Sequence, residues 1–226
     1  MLFLQNWMKI LNYNISADII RILAVFFVVF SHTTDRFVIY TILKGGISWD
    51  IIYYFNTLSR VAVPLFIMLS GYLLLHREKT KNIERFYKRR FTKIFVPFLV
   101  WLSIYFMSSA DWNIARLTPQ YVFTHLWEGN IWHLYFIIII LELYVLAPLL
   151  VHIIETNSRK KQTILFWLLI TFSIFCSLLN IWHVNLRNNS LTMFIPYIGI
   201  FYAGAYLRSL RVEKLLTGTP YNKTSF

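Results

Sequence analysis

Of the ionisable side chains inside stretches apolar enough to cross a bilayer, three matter for chemistry: Arg21, His32 and Glu142. A charge in hydrocarbon is costly, so each is a candidate for chemistry. Arg21 and His32 are eleven residues apart, and eleven helical steps come to about 20° past three full turns. Both therefore share one helix face, separated by about 16 Å along the axis. A guanidinium near one membrane surface can hold a phosphate-bearing donor. A histidine deeper in can take a proton from a hydroxyl or carry an acyl group. The same pair also fits a snorkelling, orientation-setting arginine and an interhelical hydrogen-bonding histidine. Asp35, three residues after His32, can reach the same face and orient the imidazole. Equally, Asp35 and Arg36 fit a helix end in water. Glu142 sits inside the apolar run Phe136–Leu146 and is expected to face the bundle interior, paired with Arg60 or His32, or uncharged. His133 lies at a helix end, where it could line an acceptor site. His76, His125, His152 and His183 fall at boundaries or in loops and are assigned no role.

The elements that must position these groups follow from length and hydropathy. A bilayer core needs about 20 predominantly apolar residues in a helix. Six stretches qualify, at about Ile15–Thr34, Ile52–Leu75, Ile94–Ala110, Ile131–Val151, Thr163–Trp182 and Leu191–Leu207. Arg21 and His32 make the first the weakest. Pro97 and Pro196 in the short third and sixth suggest kinks or tilts. The fold class expected is thus all-α, a polytopic transmembrane bundle of about six helices, in a single domain over residues 1–226. Residues 1–14 read as an interfacial segment carrying Leu2, Phe3, Leu4, Trp7 and Met8, without the small-residue cleavage site of a signal peptide.

Charge sets the orientation. Eight basic residues from Arg77 to Lys93 lie between the second and third stretches, Arg159, Lys160 and Lys161 between the fourth and fifth, and Arg208, Arg211, Lys214 and Lys223 after the sixth. With Lys9 and Arg21 these fall on one side; Arg36, Lys44, Arg60, Arg116 and Arg187 fall on the other. The bias places both termini in the cytoplasm, with residues 208–226 as a cytoplasmic tail. Trp49, Trp112, Trp127, Trp132 and Trp182 then form the outer aromatic belt. The basic cluster anchors topology on anionic lipid, and also suits an anionic cofactor such as a CoA thioester.

Composition agrees. The 226 residues are 58% hydrophobic, 19% aromatic and 14% charged, where a soluble domain carries about 25% charged residues. The net charge of +12 is accounted for on one face of a membrane, so no nucleic-acid partner is expected. The single cysteine, Cys176, permits no intramolecular disulfide and no cysteine metal cluster, and no metal is expected. The sequence contains no Walker A loop, dinucleotide fingerprint or GxSxG elbow, so soluble kinase, dehydrogenase and hydrolase readings have no local support.

Four stretches in order resemble the integral-membrane acyltransferase-three family, whose members O-acetylate or otherwise acylate surface polysaccharides. They are Asp18-Ile-Ile-Arg21 through Ser31-His32, an Arg–ten residues–His signature; Ser59-Arg60 through Pro64, Phe66 and Ser70-Gly71-Tyr72; Lys88-Arg89-Arg90 running into Pro97; and Trp132-His133-Leu-Tyr-Phe136 with Pro148 beyond. Together they span most of residues 18–207. The resemblance implies an acyl-CoA donor, usually acetyl-CoA, taken from the cytoplasm, and an acceptor hydroxyl on a polysaccharide or lipid-linked sugar at the outer face of a bacterial inner (plasma) membrane. It implies His32 as general base or transient acyl carrier, and Arg21 as the donor-side residue. Arg60, Ser70 and Gly71 become site-forming or helix-packing positions. Asp35 and Glu142 join His32 as catalytic candidates; Arg60, Lys88, Arg89 and Arg90 join Arg21 on the cofactor; and His133, Ser70 and Tyr72 fall to the acceptor. Family members are longer, with about ten helices, so the resemblance also implies a C-terminally truncated relative lacking the helices that enclose the site. The competing readings are a membrane transporter, with Arg21, His32 and Glu142 as a proton or substrate pathway, and a flippase-like component of a polysaccharide pathway. A requirement for acyl-CoA separates them from the enzyme.

Overall fold

The computed structural model describes residues 15–41, 46–76, 82–127, 134–181 and 192–217. Among these, all regular structure is helical. The order is α1 (Ile15–Thr41), α2 (Ile47–Ser59), α3 (Ala62–Leu74), α4 (Ile83–Arg90), a π turn (Phe91–Phe95), α5 (Val96–Ser109), a 3-10 turn (Ile114–Arg116), α6 (Pro119–Trp127), α7 (Tyr135–Thr156), α8 (Arg159–Ile181), a second 3-10 turn (Ile195–Tyr197) and α9 (Ile198–Thr217). The chain divides into two compact units, Met1–Leu69 and Ser70–Phe226.

Five segments among the described residues are long and apolar enough to cross a membrane: Ala17–Asp35, Trp49–Leu74, Ile83–Ser109, Tyr135–Thr156 and Arg159–Leu179. They correspond to the first five of the six expected stretches. The sixth differs because Pro196 sits in a 3-10 turn and α9 starts only at Ile198. Few apolar residues then remain before Arg208 and Arg211. Large apolar side chains point away from the protein in the spans: Ile22 is 68% exposed in α1, Trp101 61% in α5, Val145 64% in α7 and Trp167 61% in α8. Such faces are stable against lipid and unstable against water.

Two expected boundaries move. α1 continues past Thr34 to Thr41 because neither proline nor glycine intervenes before residue 45. The Thr34 hydroxyl is absorbed by the Phe30 carbonyl at 2.7 Å, the usual way a polar β-branched residue sits within an apolar helix. Asp35 is therefore inside a helix and does not mark its end. The third span begins at Ile83, well before Ile94, since α4 runs through the π turn into α5. Asn82 caps α4 by accepting from the Arg85 N–H at 2.8 Å. Pro97 occupies the first turn of α5, where a missing N–H costs little, so it follows the π turn without breaking the helix.

In the first unit α1 and α2 pack as an antiparallel hairpin. The Trp49 indole donates to the Val38 carbonyl at 3.2 Å near its closed end. Ala17, Ala24, Asn56, Ser59 and Ala62 are buried, and such small or amide side chains let helices approach closely.

In the second unit Phe98, Leu102 and Phe106 of α5 form a core with Tyr121, Val122 and Leu126 of α6 and with Ile137, Ile138 and Leu141 of α7. α8 and α9 pack at close range. A Cβ at Gly199 would overlap the Leu169 carbonyl, and the Gly199 N–H donates to the buried Ser173 hydroxyl at 3.1 Å. A Cβ at Gly71, near the end of α3, would overlap the Phe201 carbonyl of α9. Glycine is thus the residue that fits at both positions.

Candidate functional site

The first unit gathers three of the candidate residues. His32 and Asp35 lie one turn apart on α1, as their spacing predicts, and Arg60 follows α2. Asp35 Oδ1 accepts from Arg60 Nη2 at 2.9 Å. The other carboxylate oxygen, Oδ2, lies 4.0 Å from His32 Nδ1. That separation is longer than a hydrogen bond, yet the negative charge favours a proton on the nitrogen that faces it. A proton on Nδ1 leaves the lone pair on Nε2, the form a general base or nucleophile needs. The side chains of His32 and Asp35 are each about one-third exposed, so a substrate atom can reach them.

A fourth residue completes this cluster. Asn56, in α2, is 2% exposed. Its amide donates to the Ser31 carbonyl at 3.1 Å, the Thr34 hydroxyl at 2.8 Å and Asp35 Oδ1 at 3.0 Å. Its own carbonyl oxygen is 3.5 Å from Arg60 Nη2. Attention to ionisable groups alone passes over Asn56. The signal was an amide inside the apolar run from Ile51 to Leu58, since such a group needs a partner in lipid.

Arg21 stands apart on α1. It pairs with Asp18, one turn earlier, and both are solvent-facing or half-buried. An exposed pair of this kind contributes little to stability.

The remaining candidates belong to the second unit. Tyr72 is half-buried and occupied: its carbonyl accepts from Arg208 Nη1 at 3.2 Å, and the Arg208 guanidinium carbon lies 5.8 Å from its ring centre. Ser70 is half-buried beside Gly71. His133 lies outside the described residues. Lys88 and Arg89 are exposed, whereas Arg90 is held over two rings, 5.7 Å from the Phe86 centre and 5.5 Å from that of Tyr144. Guanidinium–ring contacts of this length fix the charge in place.

Arg90 and Lys88 border a cavity of about 860 Å³ between the α4–π-turn segment and α7. Phe91, Phe95, Leu141 and Val145 give it apolar walls. Tyr87 closes one side, its hydroxyl donating to the Val145 carbonyl at 2.9 Å. Glu142 faces this cavity. A backbone group of Phe194 hydrogen-bonds its carboxylate, while the buried oxygen Oε2 has no hydrogen-bond partner. Arg60, one expected partner of Glu142, is instead paired with Asp35. Among the described residues no group of three or more His, Cys, Asp or Glu side chains has the geometry of a metal site.

The chain therefore presents a histidine–carboxylate pair braced from a neighbouring helix, a basic turn beside an apolar cavity, and several helices suited to lipid. Comparison with curated proteins and with solved structures gave no match. Comparison with protein families matched the acyltransferase domain over residues 14–224, nearly the whole chain. This is a multi-pass membrane protein, and it belongs to the acyltransferase domain family.

Proposed function

We propose that this protein is a membrane O-acyltransferase, moving an acyl group, with acetyl as the first candidate, from acyl-CoA at the cytoplasmic side to a hydroxyl of a cell-surface polysaccharide or lipid-linked sugar. The observation that carries the reading is the His32–Asp35 pair, one turn apart on α1, with Asp35 braced by Arg60, in a chain whose family transfers acyl groups. In this reading the membrane is the inner (plasma) membrane, as the family resemblance implies, and the charge bias supports cytoplasmic termini.

In this reading His32 Nε2 takes the proton of the acceptor hydroxyl. The hydroxyl oxygen attacks the thioester carbonyl carbon, the C–O bond forms and the C–S bond breaks. The CoA thiolate leaves and recovers the proton from the imidazolium, so charge and protons balance. Asp35 steadies the imidazolium between these events. Transfer through an acyl-imidazole uses the same nitrogen and the same neighbours. Arg21, in the first unit, and Lys88, Arg89 and Arg90, in the second, are each cations of the kind that bind CoA phosphates. Arg60, assigned to the donor by the family resemblance, acts here on Asp35. Glu142 lines the cavity beside the basic turn, where its carboxyl group can bond a donor N–H or O–H. Ser70, Tyr72 and His133 remain the acceptor-side positions.

The test is transfer of label from acetyl-CoA to glycan or lipid-linked sugar in membranes containing the protein, against His32→Ala at matched expression. Label lost in the variant supports the reading. Label unaffected by the variant removes His32 from the mechanism, and an absence of acyl-CoA-dependent label in both favours the transporter or flippase-like reading.

A further inference from the structure

Among the described residues of the first unit, Asn56 is the best-connected buried polar side chain, and its three acceptors bracket His32 on α1. Ser31 precedes the histidine, and Thr34 and Asp35 follow it. One amide NH2 has two hydrogens for these three acceptors, so at least one hydrogen is shared. The orientation of the amide is fixed by its surroundings. The Ser31 carbonyl and the Asp35 carboxylate can only accept. The Thr34 hydroxyl already donates to the Phe30 carbonyl at 2.7 Å, so it accepts as well. Turning the amide over would set its oxygen against all three.

The carboxylate is held at one end by this arrangement. Oδ1 receives both the Asn56 amide and the Arg60 guanidinium, which leaves Oδ2 as the oxygen turned to His32 Nδ1. Arg60 cannot supply this geometry alone. Its side chain is 65% exposed, and a long exposed arm is a weak positional constraint. Asn56 is short and buried and bonds the α1 backbone at the same time, so it ties Asp35 to the turn that carries the histidine.

We propose that Asn56 is a positioning residue for His32: it clamps Asp35 to the histidine-bearing turn of α1 and so keeps the imidazole proton on Nδ1 and the lone pair on Nε2. This deepens, and rests on, the reading of His32 as the acyl-transfer base or carrier. Among the described residues, Asp35, on the histidine's own helix, faces it, and Arg60, from the end of α2, pairs with that carboxylate.

The experiment reads the tautomer of His32 from imidazole nitrogen chemical shifts in solid-state NMR of the full chain in lipid, with the His32 signals identified by their loss in His32→Ala. Asn56→Ala and Asn56→Asp are compared with Asp35→Asn and with the double variant Asn56→Ala/Asp35→Asn. Asn56→Asp keeps the shape of the side chain and replaces its donor, which guards against a mere packing defect. The expected result is a single Nδ1–H form in the parent and a mixture of tautomers in each single variant. The double variant should be no more mixed than Asp35→Asn, because both changes act through one carboxylate. In acyl transfer, Asn56→Ala should lower kcat by about 10- to 100-fold, as loss of an orienting partner does, with KM for the acyl donor within about twofold. An unchanged tautomer in both Asn56 variants would overturn the proposal, and so would a fall in activity without a tautomer change, which marks a purely structural amide. Tautomer coupling in a chain that transfers no acyl group would uphold the clamp and refute the acyltransferase reading.

Discussion

Two of the carboxylates within the spans, Asp35 and Glu142, are treated in opposite ways. Asp35 has both oxygens accounted for, one by Asn56 and Arg60 and the other turned to His32. Glu142 has one oxygen buried with no hydrogen-bond partner, in the wall of an otherwise largely apolar cavity. A carboxylate whose neighbours are all in place is built to hold something else still. A carboxyl group left short of partners costs stability. The difference separates a braced histidine–carboxylate turn in the first unit from a cavity wall with an unmet acceptor in the second.

The largest expected effect breaks the first side of this comparison. His32→Ala should lower kcat/KM for acyl transfer by about a thousandfold, within the range of a lost general base, measured in membranes at matched expression. Asp35→Asn should cost about 10- to 100-fold, mostly in kcat, with KM for acyl-CoA nearly unchanged. Gly71→Ala tests scaffolding without touching either carboxylate. A methyl there meets the Phe201 carbonyl, and backbone cannot yield as a side chain can, so a loss of about 1–3 kcal/mol is expected in thermal or denaturant unfolding. The smallest effect sharpens the second side. Glu142→Gln should change stability by no more than about 1 kcal/mol, because it swaps one buried, incompletely bonded polar group for another of the same shape. It should raise KM for the acyl donor a few-fold while kcat holds. Equal kcat losses in Asp35→Asn and Glu142→Gln would erase the distinction between the two sites.

Much of the scaffold was legible before any coordinates. Five spans follow from hydropathy alone, because a helix in lipid must be apolar along its whole length. The spacing of Arg21, His32 and Asp35 fixes their placement on α1, since a regular helix converts sequence distance into angle. What was not legible depends on contacts between elements. The sixth stretch reads as a span by hydropathy, and only the 3-10 turn at Pro196 shows that its helix starts late. Asp35 looks like the polar end of a helix until Asn56 and Arg60, more than twenty residues on, are seen to hold it. No periodicity within one helix encodes such a contact. Glu142 was visible as a costly mid-span acid, whereas the pairing of Arg60 with Asp35 is a contact that spacing cannot rank.

The most direct test of the central claim is release of the CoA thiol by the protein reconstituted in lipid vesicles, followed with acyl-CoA in the presence and absence of a hydroxyl-bearing glycan. The account predicts thiol release matched one for one by new acyl ester on the glycan, dependent on the acceptor, and abolished by His32→Ala. Ester formation that persists in His32→Ala, or glycan movement across the vesicle wall with no thiol released, would contradict it.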